Sequence, residues 1–508
     1  MRIYKKSAHR ARLLSGTALV LAISAGAAHA GDKKDPLVIE HGSVVISSST
    51  YDATQGDVAS LAVGSKLPGS ATQTVKAISG NNYVTVWNNV TVDAAFGVTS
   101  PIGLTDIDAI TGSVLHSIEV PPDSVATSFS SKSELGLHLS TGQNGPRLVF
   151  VGYGGAGVGS IDASNSDAVP GQDPTNPVTF AFGPKYAFPR TIVSMDEHGN
   201  FAYTPTINYG GNNGRSALLG SNGLYYTVGN ANNGNAAAFG PSNGTSPDVT
   251  ETTGLETVFP LDSPTPFVAV PSFLSAEVDP LLQFTFNGKA DKPGKDDNFR
   301  GLTENHGALY FTKGSGSNGV DTVYTVPALP FQEDAASVAI NIVPGFPTDS
   351  AKSTGGNFTP FAIFFANDKT MYVTDEGSGN ATDASTHAGL QKWSLVKGVW
   401  QLDYVLTQGL IGLVDANLTG AAGPYPTVTT VGLRNLTGAV SSSGTVTLWA
   451  TTATSSASGD NGADPNRVVK ITDNLASTTL TGVATQETFQ TVAGPTYGTV
   501  YRGVAYAQ

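Results

Sequence analysis

The sequence predicts an all-β fold, a single β-propeller of six four-stranded blades, with seven as the alternative count. Three observations predict it. Runs of four to eight apolar or β-branched residues, each closed by Gly, Asn, Asp or Pro, recur along the whole chain. One strand motif returns at spacings of tens of residues, as in propellers. Its last copy stands at the very end of the sequence, with only a few residues after it.

The composition favours strands. Only 13% of residues are charged and there are 59 glycines. Ser, Thr and Asn are also abundant, which disfavours helices and suits short strands with tight turns. No helical periodicity extends beyond two turns.

The recurring motif reads Asn298-Phe299-Arg300-Gly301-Leu302-Thr303, Gly432-Leu433-Arg434-Asn435-Leu436-Thr437 and Val500-Tyr501-Arg502-Gly503-Val504-Ala505. Asn213-Gly214-Arg215-Ser216-Ala217-Leu218 is a looser copy. A second strand ending in Thr recurs after the internal first strands: Leu224-Tyr225-Tyr226-Thr227, Leu309-Tyr310-Phe311-Thr312, Met371-Tyr372-Val373-Thr374 and Leu448-Trp449-Ala450-Thr451. Third and fourth strands follow, clearest in Leu390–Leu395 and Trp400–Val405.

The copy at Arg502 is a first strand without a blade. The N-terminal region supplies one: Val44–Ser47 reads as a second strand, Ile102–Thr105 as a third and Val114–Ile118 as a fourth. The C-terminal strand therefore closes the ring and removes the open edges that invite aggregation, and a monomer is expected. First strands near 135, 216, 301, 361, 434 and 502 give six blades. Residues 58–92 are an insertion or part of a seventh, and 250–297 fit the pattern worst.

The first thirty residues carry the marks of a signal peptide. Arg2, Lys5, Lys6, Arg10 and Arg12 precede an apolar run from Ala18 to Ala28, and Ala28-His29-Ala30 offers a cleavage site. The expected mature chain, 31–508, is a periplasmic or extracellular propeller with no membrane span. Removing five basic residues from 27 leaves 22 against 40 acidic ones, a formal charge of −18. Such a surface excludes nucleic acid and anionic membranes as main partners. The absence of Cys excludes disulfides, thiolate metal sites and a Cys nucleophile.

Four segments carry a resemblance: Ala290-Asp291-Lys292-Pro293-Gly294-Lys295-Asp296-Asp297-Asn298-Phe299-Arg300-Gly301-Leu302, Thr312-Lys313-Gly314-Ser315-Gly316, Gly389-Leu390-Gln391-Lys392-Trp393-Ser394-Leu395 and Tyr501-Arg502-Gly503-Val504-Ala505. On these residues the chain resembles a family of exported bacterial propeller proteins, over nearly all of its length after the leader. The resemblance implies a propeller and export. It implies no particular activity and brings no catalytic residues.

Two motifs invite catalysis and fail on context. Gly152-Tyr153-Gly154-Gly155-Ala156-Gly157 has the spacing of a dinucleotide loop, but Ser160–Asn165 and Pro170 follow where a helix must begin. Gly240-Pro241-Ser242-Asn243-Gly244 has the spacing of a nucleophile elbow inside a Gly/Asn/Ser/Pro loop. The histidines after the leader (His41, His116, His138, His198, His306 and His387) show no ligand spacing for zinc or iron. Asp162-Ala163-Ser164-Asn165-Ser166-Asp167 alternates oxygen ligands, so Asp162 and Asp167 are the candidate metal ligands, with calcium as the cation. Turn formation is the plainer reading of the same residues.

Arginine placement is the sharpest signal. Seven arginines follow the leader, and Arg215, Arg300, Arg434 and Arg502 share one repeat position at the start of the innermost strand. Four guanidiniums would ring one channel mouth near Asp375 and Glu376, offering planar donors to a carboxylate, phosphate or sulfate. Alternatively, each ties its blade to a neighbour. The leading expectation is a binding propeller for an anionic small molecule or glycan. A cation-dependent hydrolase, lactonase-like or phytase-like, is the second, and a structural surface protein the third.

Overall fold

A computed structural model describes residues 39–52, 54–60, 66–70, 73–76, 98–129, 131, 134–142, 145–160, 177–180, 183–186, 189–206, 208–209, 213–230, 238–239, 249–250, 254–266, 270–271, 285–286, 296–329, 338–354, 358–379, 387–420, 423–455, 462–480 and 487–507. Among them the helical turns are Asp57–Ser60 and Ala351–Thr354; the regular structure is otherwise β.

Six antiparallel sheets form a six-bladed propeller. Blade 1 is shared between the chain ends, in the order Thr499–Tyr506, Ser43–Thr50, Ile102–Asp108, Val114–Glu119. Val44 faces Tyr506 on one side and Ile107 on the other. Blade 2 runs His138–Gly142, Gly145–Gly154, Arg190–Asp196, Phe201–Thr206. Blade 4 runs Leu302–Asn305, Ala308–Lys313, Thr322–Val326, Ala339–Ile342, and blade 5 Pro360–Asn367, Thr370–Asp375, Gly389–Val396, Val399–Leu406. Blade 6 is Val428–Val440, Thr445–Thr454, Val468–Asn474, Gln490–Ala493.

Blade 3 departs from the template. Gly214–Leu219, Tyr225–Gly229 and Gly254–Val258 are its three described strands. The chain beyond Val258 turns to blade 2, where Ser263 and Tyr203 exchange backbone hydrogen bonds of 2.8 and 3.0 Å. That diversion explains the poor fit of 250–297. The 51–101 connection contains a two-stranded ribbon of Lys66–Ser70 with Gln73–Lys76, and Tyr83–Trp87 lie outside the described residues.

The first strands pack side by side into a closed inner ring, each touching the next from blade 1 round to blade 6 and back. Glycine permits that approach. A Cβ on Gly301 would sit 2.0 Å from the carbonyl oxygen of Phe361, and one on Gly503 2.3 Å from that of Leu135.

The recurrent second-strand hydroxyl explains why the blades hold together. Thr312 Oγ1 donates to Phe361 O at 2.6 Å and Thr451 Oγ1 to Arg502 O at 3.0 Å. Thr374 donates likewise to Arg434 O, and Ser47 Oγ to Leu135 O at 2.8 Å. Each hydroxyl also accepts a backbone N–H from its own first strand: Gly301, Asn435, Ala362 and Gly503 respectively. One small side chain thus satisfies two main-chain groups that the inner ring would otherwise bury unpaired. The apolar cores lie mainly between blades, such as Leu218, Tyr226, Phe299, Phe311 and Tyr324 between blades 3 and 4.

Candidate functional site

Strand order fixes which face carries the arginines. Connections between second and third strands (51–101, 155–189, 230–253, 314–321, 376–388 and 455–467) all leave on the face where first strands begin. First-to-second turns such as 306–307, 368–369 and 441–444 lie on the opposite face. The long connections and the arginine positions therefore share one end of the ring. In the hydroxyl pattern, Leu135 and Phe361 take the place that Arg434 and Arg502 hold in their blades.

At this position the inner strand bulges. Register shifts span Arg215, the Phe361-Ala362 pair, the Arg434-Asn435 pair and the Arg502-Gly503 pair. A bulge adds a residue and re-aims its side chain, a common device at rims and binding sites.

All four guanidiniums are buried, and each meets a neighbouring blade. Arg300 and Arg434, from blades 4 and 6, converge on Glu376 of blade 5; Arg434 Nε lies 3.3 Å from Glu376 Oε2, and Arg300 Nη1 contacts Oε1. Arg215 Nη1 donates to the side chain of Asn298 and, at 3.2 Å, to Phe299 O. Arg502 Nη2 donates to Phe129 O, to Gly462 O at 2.9 Å and to Ser49 Oγ at 3.2 Å. The arginines thus act as ties between blades: Arg300 and Arg434 share Glu376, while Arg215 and Arg502 use amide, carbonyl and hydroxyl groups.

The expected cluster of Asp375 with Glu376 divides. Glu376 enters the guanidinium set. Asp375 instead joins the two segments at the open end of its hairpin, accepting from Thr359 N at 3.0 Å and Gly377 N at 2.9 Å. Burial raises its proton affinity, against those hydrogen bonds.

Buried guanidiniums and buried carboxylates are interleaved at this end. Burial pushes Arg215 down to about 9, with repulsion from Arg300 as the next cause. Arg434 is lowered by burial too, and Glu376 only partly offsets this. The carboxylates felt by Arg215 and Arg434 are Glu134, Glu376 and Asp464.

A fifth guanidinium belongs to the set and escapes the repeat. Arg190 opens the third strand of blade 2, opposite Tyr153 in register, and is 1% exposed. Its Cζ stands 4.0 Å from the centroid of the Tyr153 ring. Tyr153 donates its hydroxyl to Glu134, whose other oxygen accepts from Thr127 Oγ1 at 2.8 Å and Ser128 N at 3.0 Å. Burial raises Glu134 above the usual carboxylate range despite these partners. Tyr153 belongs to the G-x-G-x-x-G spacing, whose glycines have a packing cause. A Cβ on Gly152 would lie 2.5 Å from Val125 Cγ1, and one on Gly154 2.3 Å from Thr191 Oγ1.

Asp162, Asp167 and the elbow-like Gly240–Gly244 lie outside the described residues. Among the described residues no three His, Asp or Glu side chains converge as for a metal, and no helix is long and apolar enough to cross a membrane. Trp393 stacks on Phe346 at 4.0 Å and Trp449 on Tyr506 at 5.1 Å, both buried. Neither forms an open platform for a sugar ring.

No family model matches the chain, and no curated protein does. Among solved structures, a variant of the Synechocystis apocarotenoid oxygenase is 8% identical, covers 92% of this chain and 93% of its own, and has a TM-score of 0.34. An ulvan lyase described as a new polysaccharide lyase family is 9% identical, covers 87% of this chain and 95% of its own, with a TM-score of 0.28.

Proposed function

We propose that this chain is an exported binding propeller that receives an anionic small molecule, or the acidic residue of a glycan, at the arginine end of the ring. One observation carries the reading: Arg215, Arg300, Arg434 and Arg502 are all buried at one end of the ring, and Arg215 is held by an amide oxygen and a carbonyl in place of a carboxylate. Burying like charges together is costly, and an anion placed among them relieves it.

Two further features support it. The Thr and Ser hydroxyls already tie four of the six blade seams, so at those seams the arginines are not the sole link between blades. The long connections leave on this end, and ligand sites favour loops held by a rigid scaffold.

The test is a thermal-unfolding titration with acetate, a hexuronate, sulfate and phosphate, each against potassium chloride of matched ionic strength. A ligand of the native state at a hundredfold excess over Kd stabilises by about 2.7 kcal/mol. The expected result is stabilisation by one or more of the anions beyond the chloride control, diminished in Arg215→Lys. Identical melting curves in every anion would sink the proposal.

A further inference from the structure

The binding reading leaves open which donor takes the anion and what kind of anion it is. We infer that Arg190, stacked on Tyr153 and set outside the repeated arginine position, is the residue that grips the ligand, and that the gripped group is a planar, singly charged carboxylate. This rests on the anion-binding reading and sharpens it.

Arg190 differs from the four repeated arginines in its hydrogen bonds. They reach carbonyls or carboxylates of adjoining blades, while Nε, Nη1 and Nη2 of Arg190 have no hydrogen-bond partner among the described residues. A guanidinium carries five N–H donors. Leaving such a set buried and unused is among the more costly arrangements in a protein interior. In native structures groups of this kind point to a bound ion, a water or a functional role.

The surroundings shape what fits. One face of the guanidinium is covered by the Tyr153 ring, so its in-plane edges are the directions left for donation. Such an edge matches the two oxygens of a carboxylate in a bidentate fork. The Arg190 stem packs toward Gly214, where a Cβ would lie 3.4 Å from Arg190 Cδ. The next residue, Arg215, adds a second buried donor, its Nε, that also lacks a hydrogen-bond partner among the described residues. The stem of Arg190 in blade 2 thus lies against the blade 3 strand that carries Arg215.

Glu134 sets the charge of the ligand. Its oxygens are occupied by Thr127, Ser128 and Tyr153, so it influences Arg190 through its field and not through a hydrogen bond. Whatever charge Glu134 carries repels a dianion twice as strongly as a monoanion. A carboxylate meets this constraint, and phosphate or sulfate does so less well.

The test is calorimetric titration of the full chain with acetate, a hexuronate, sulfate and phosphate, in wild type, Arg215→Lys and Arg190→Lys. The Lys variant at 190 keeps charge and stem but loses the planar fork. We expect carboxylates to bind wild type more tightly than sulfate or phosphate, and Arg190→Lys to lose at least about tenfold in carboxylate affinity.

Unchanged carboxylate affinity in Arg190→Lys, with anion binding still lost in Arg215→Lys, overturns the role of Arg190 and leaves the broader reading standing. Sulfate or phosphate binding as tightly as carboxylates overturns the ligand class. Absence of any anion binding to wild type defeats the broader reading itself. If Arg190→Lys does not fold, the arginine Nε–Hε resonances of the unaltered chain decide: an acetate titration that moves none of them overturns the inference.

Discussion

Thr451 donates its hydroxyl to the main-chain carbonyl of Arg502 at 3.0 Å, joining blade 6 to the strand that closes the ring. The same oxygen accepts the N–H of Asn435 at 3.2 Å. Replacing Thr312 or Thr374 by the near-isosteric Val removes a hydrogen bond from a buried carbonyl and one from a buried N–H; in Thr451→Val the Arg502 carbonyl keeps its bond from Asn435 Nδ2 at 2.8 Å. Each variant should lose about 1–3 kcal/mol of stability, measured by denaturant unfolding. An unchanged midpoint would show that the inner ring does not depend on these bonds.

The last strand supplies the inner edge of blade 1, with Val500, Arg502, Val504 and Ala505 all buried. Ending the chain before Thr499 exposes the row of backbone groups on Ser43–Thr50 that now pairs with it. The shortened protein should lose its cooperative thermal transition or self-associate, as unpaired edges do. Size-exclusion chromatography and a circular-dichroism melt check this; a monomer melting like the full chain would refute it.

Glu376 is shared by Arg300 and Arg434, and all three are buried. Glu376→Gln leaves two guanidiniums without their carboxylate. Removing one partner of a buried pair costs about 3–5 kcal/mol. Added acetate should restore part of the lost melting temperature, more than chloride at equal ionic strength.

Raising the pH from about 4.5 to about 8 should weaken the contact between blades 5 and 6. Asp473 accepts from Tyr404 at 2.7 Å and from Tyr372, and pairs with Lys392 at 2.8 Å. Glu487 beside it is pushed up to about 8, by burial first and then by Asp473. The folded state therefore keeps a proton that the unfolded chain releases near 4.5. The stabilisation from that proton is full below about 4.5 and is lost progressively as pH rises from there through about 8, with a slope of at most about 1.4 kcal/mol per pH unit. Glu487→Gln should flatten that limb of a stability–pH curve.

Acid has the opposite partner. His138 hydrogen-bonds Ser216 at 2.7 Å, and burial lowers it to about 4 from 6.5. The unfolded chain takes up a proton that the folded one refuses, so stability falls as pH drops from 6.5 toward 4. His138→Gln should remove this contribution in urea titrations across that range.

Much of the fold was legible because propeller repetition is written into local chemistry. The Thr that ends each of several second strands and the Arg-Gly pairs recur because each blade must meet the next in the same way. The orphan copy at Arg502 disclosed the closure for the same reason. Blade 3 was less legible, since the diversion of Ser263 to Tyr203 is a long-range pairing without a local marker. Arg190 was missed because it opens a third strand, outside the repeat. Its partner Tyr153 sat within a glycine spacing whose cause is close packing against Val125 and Thr191.

The sequence by itself determined the β class, the blade order and the shared first blade, because alternation, turn residues and repeats act over short distances. It also placed four arginines at one level of the ring. Only the tertiary structure decided that Glu376 serves two of them, that Asp375 turns away to Thr359, and that Arg190 joins the set from another strand. Those outcomes depend on which side chains the closed ring brings together from distant parts of the chain, and on the charge that burial leaves there.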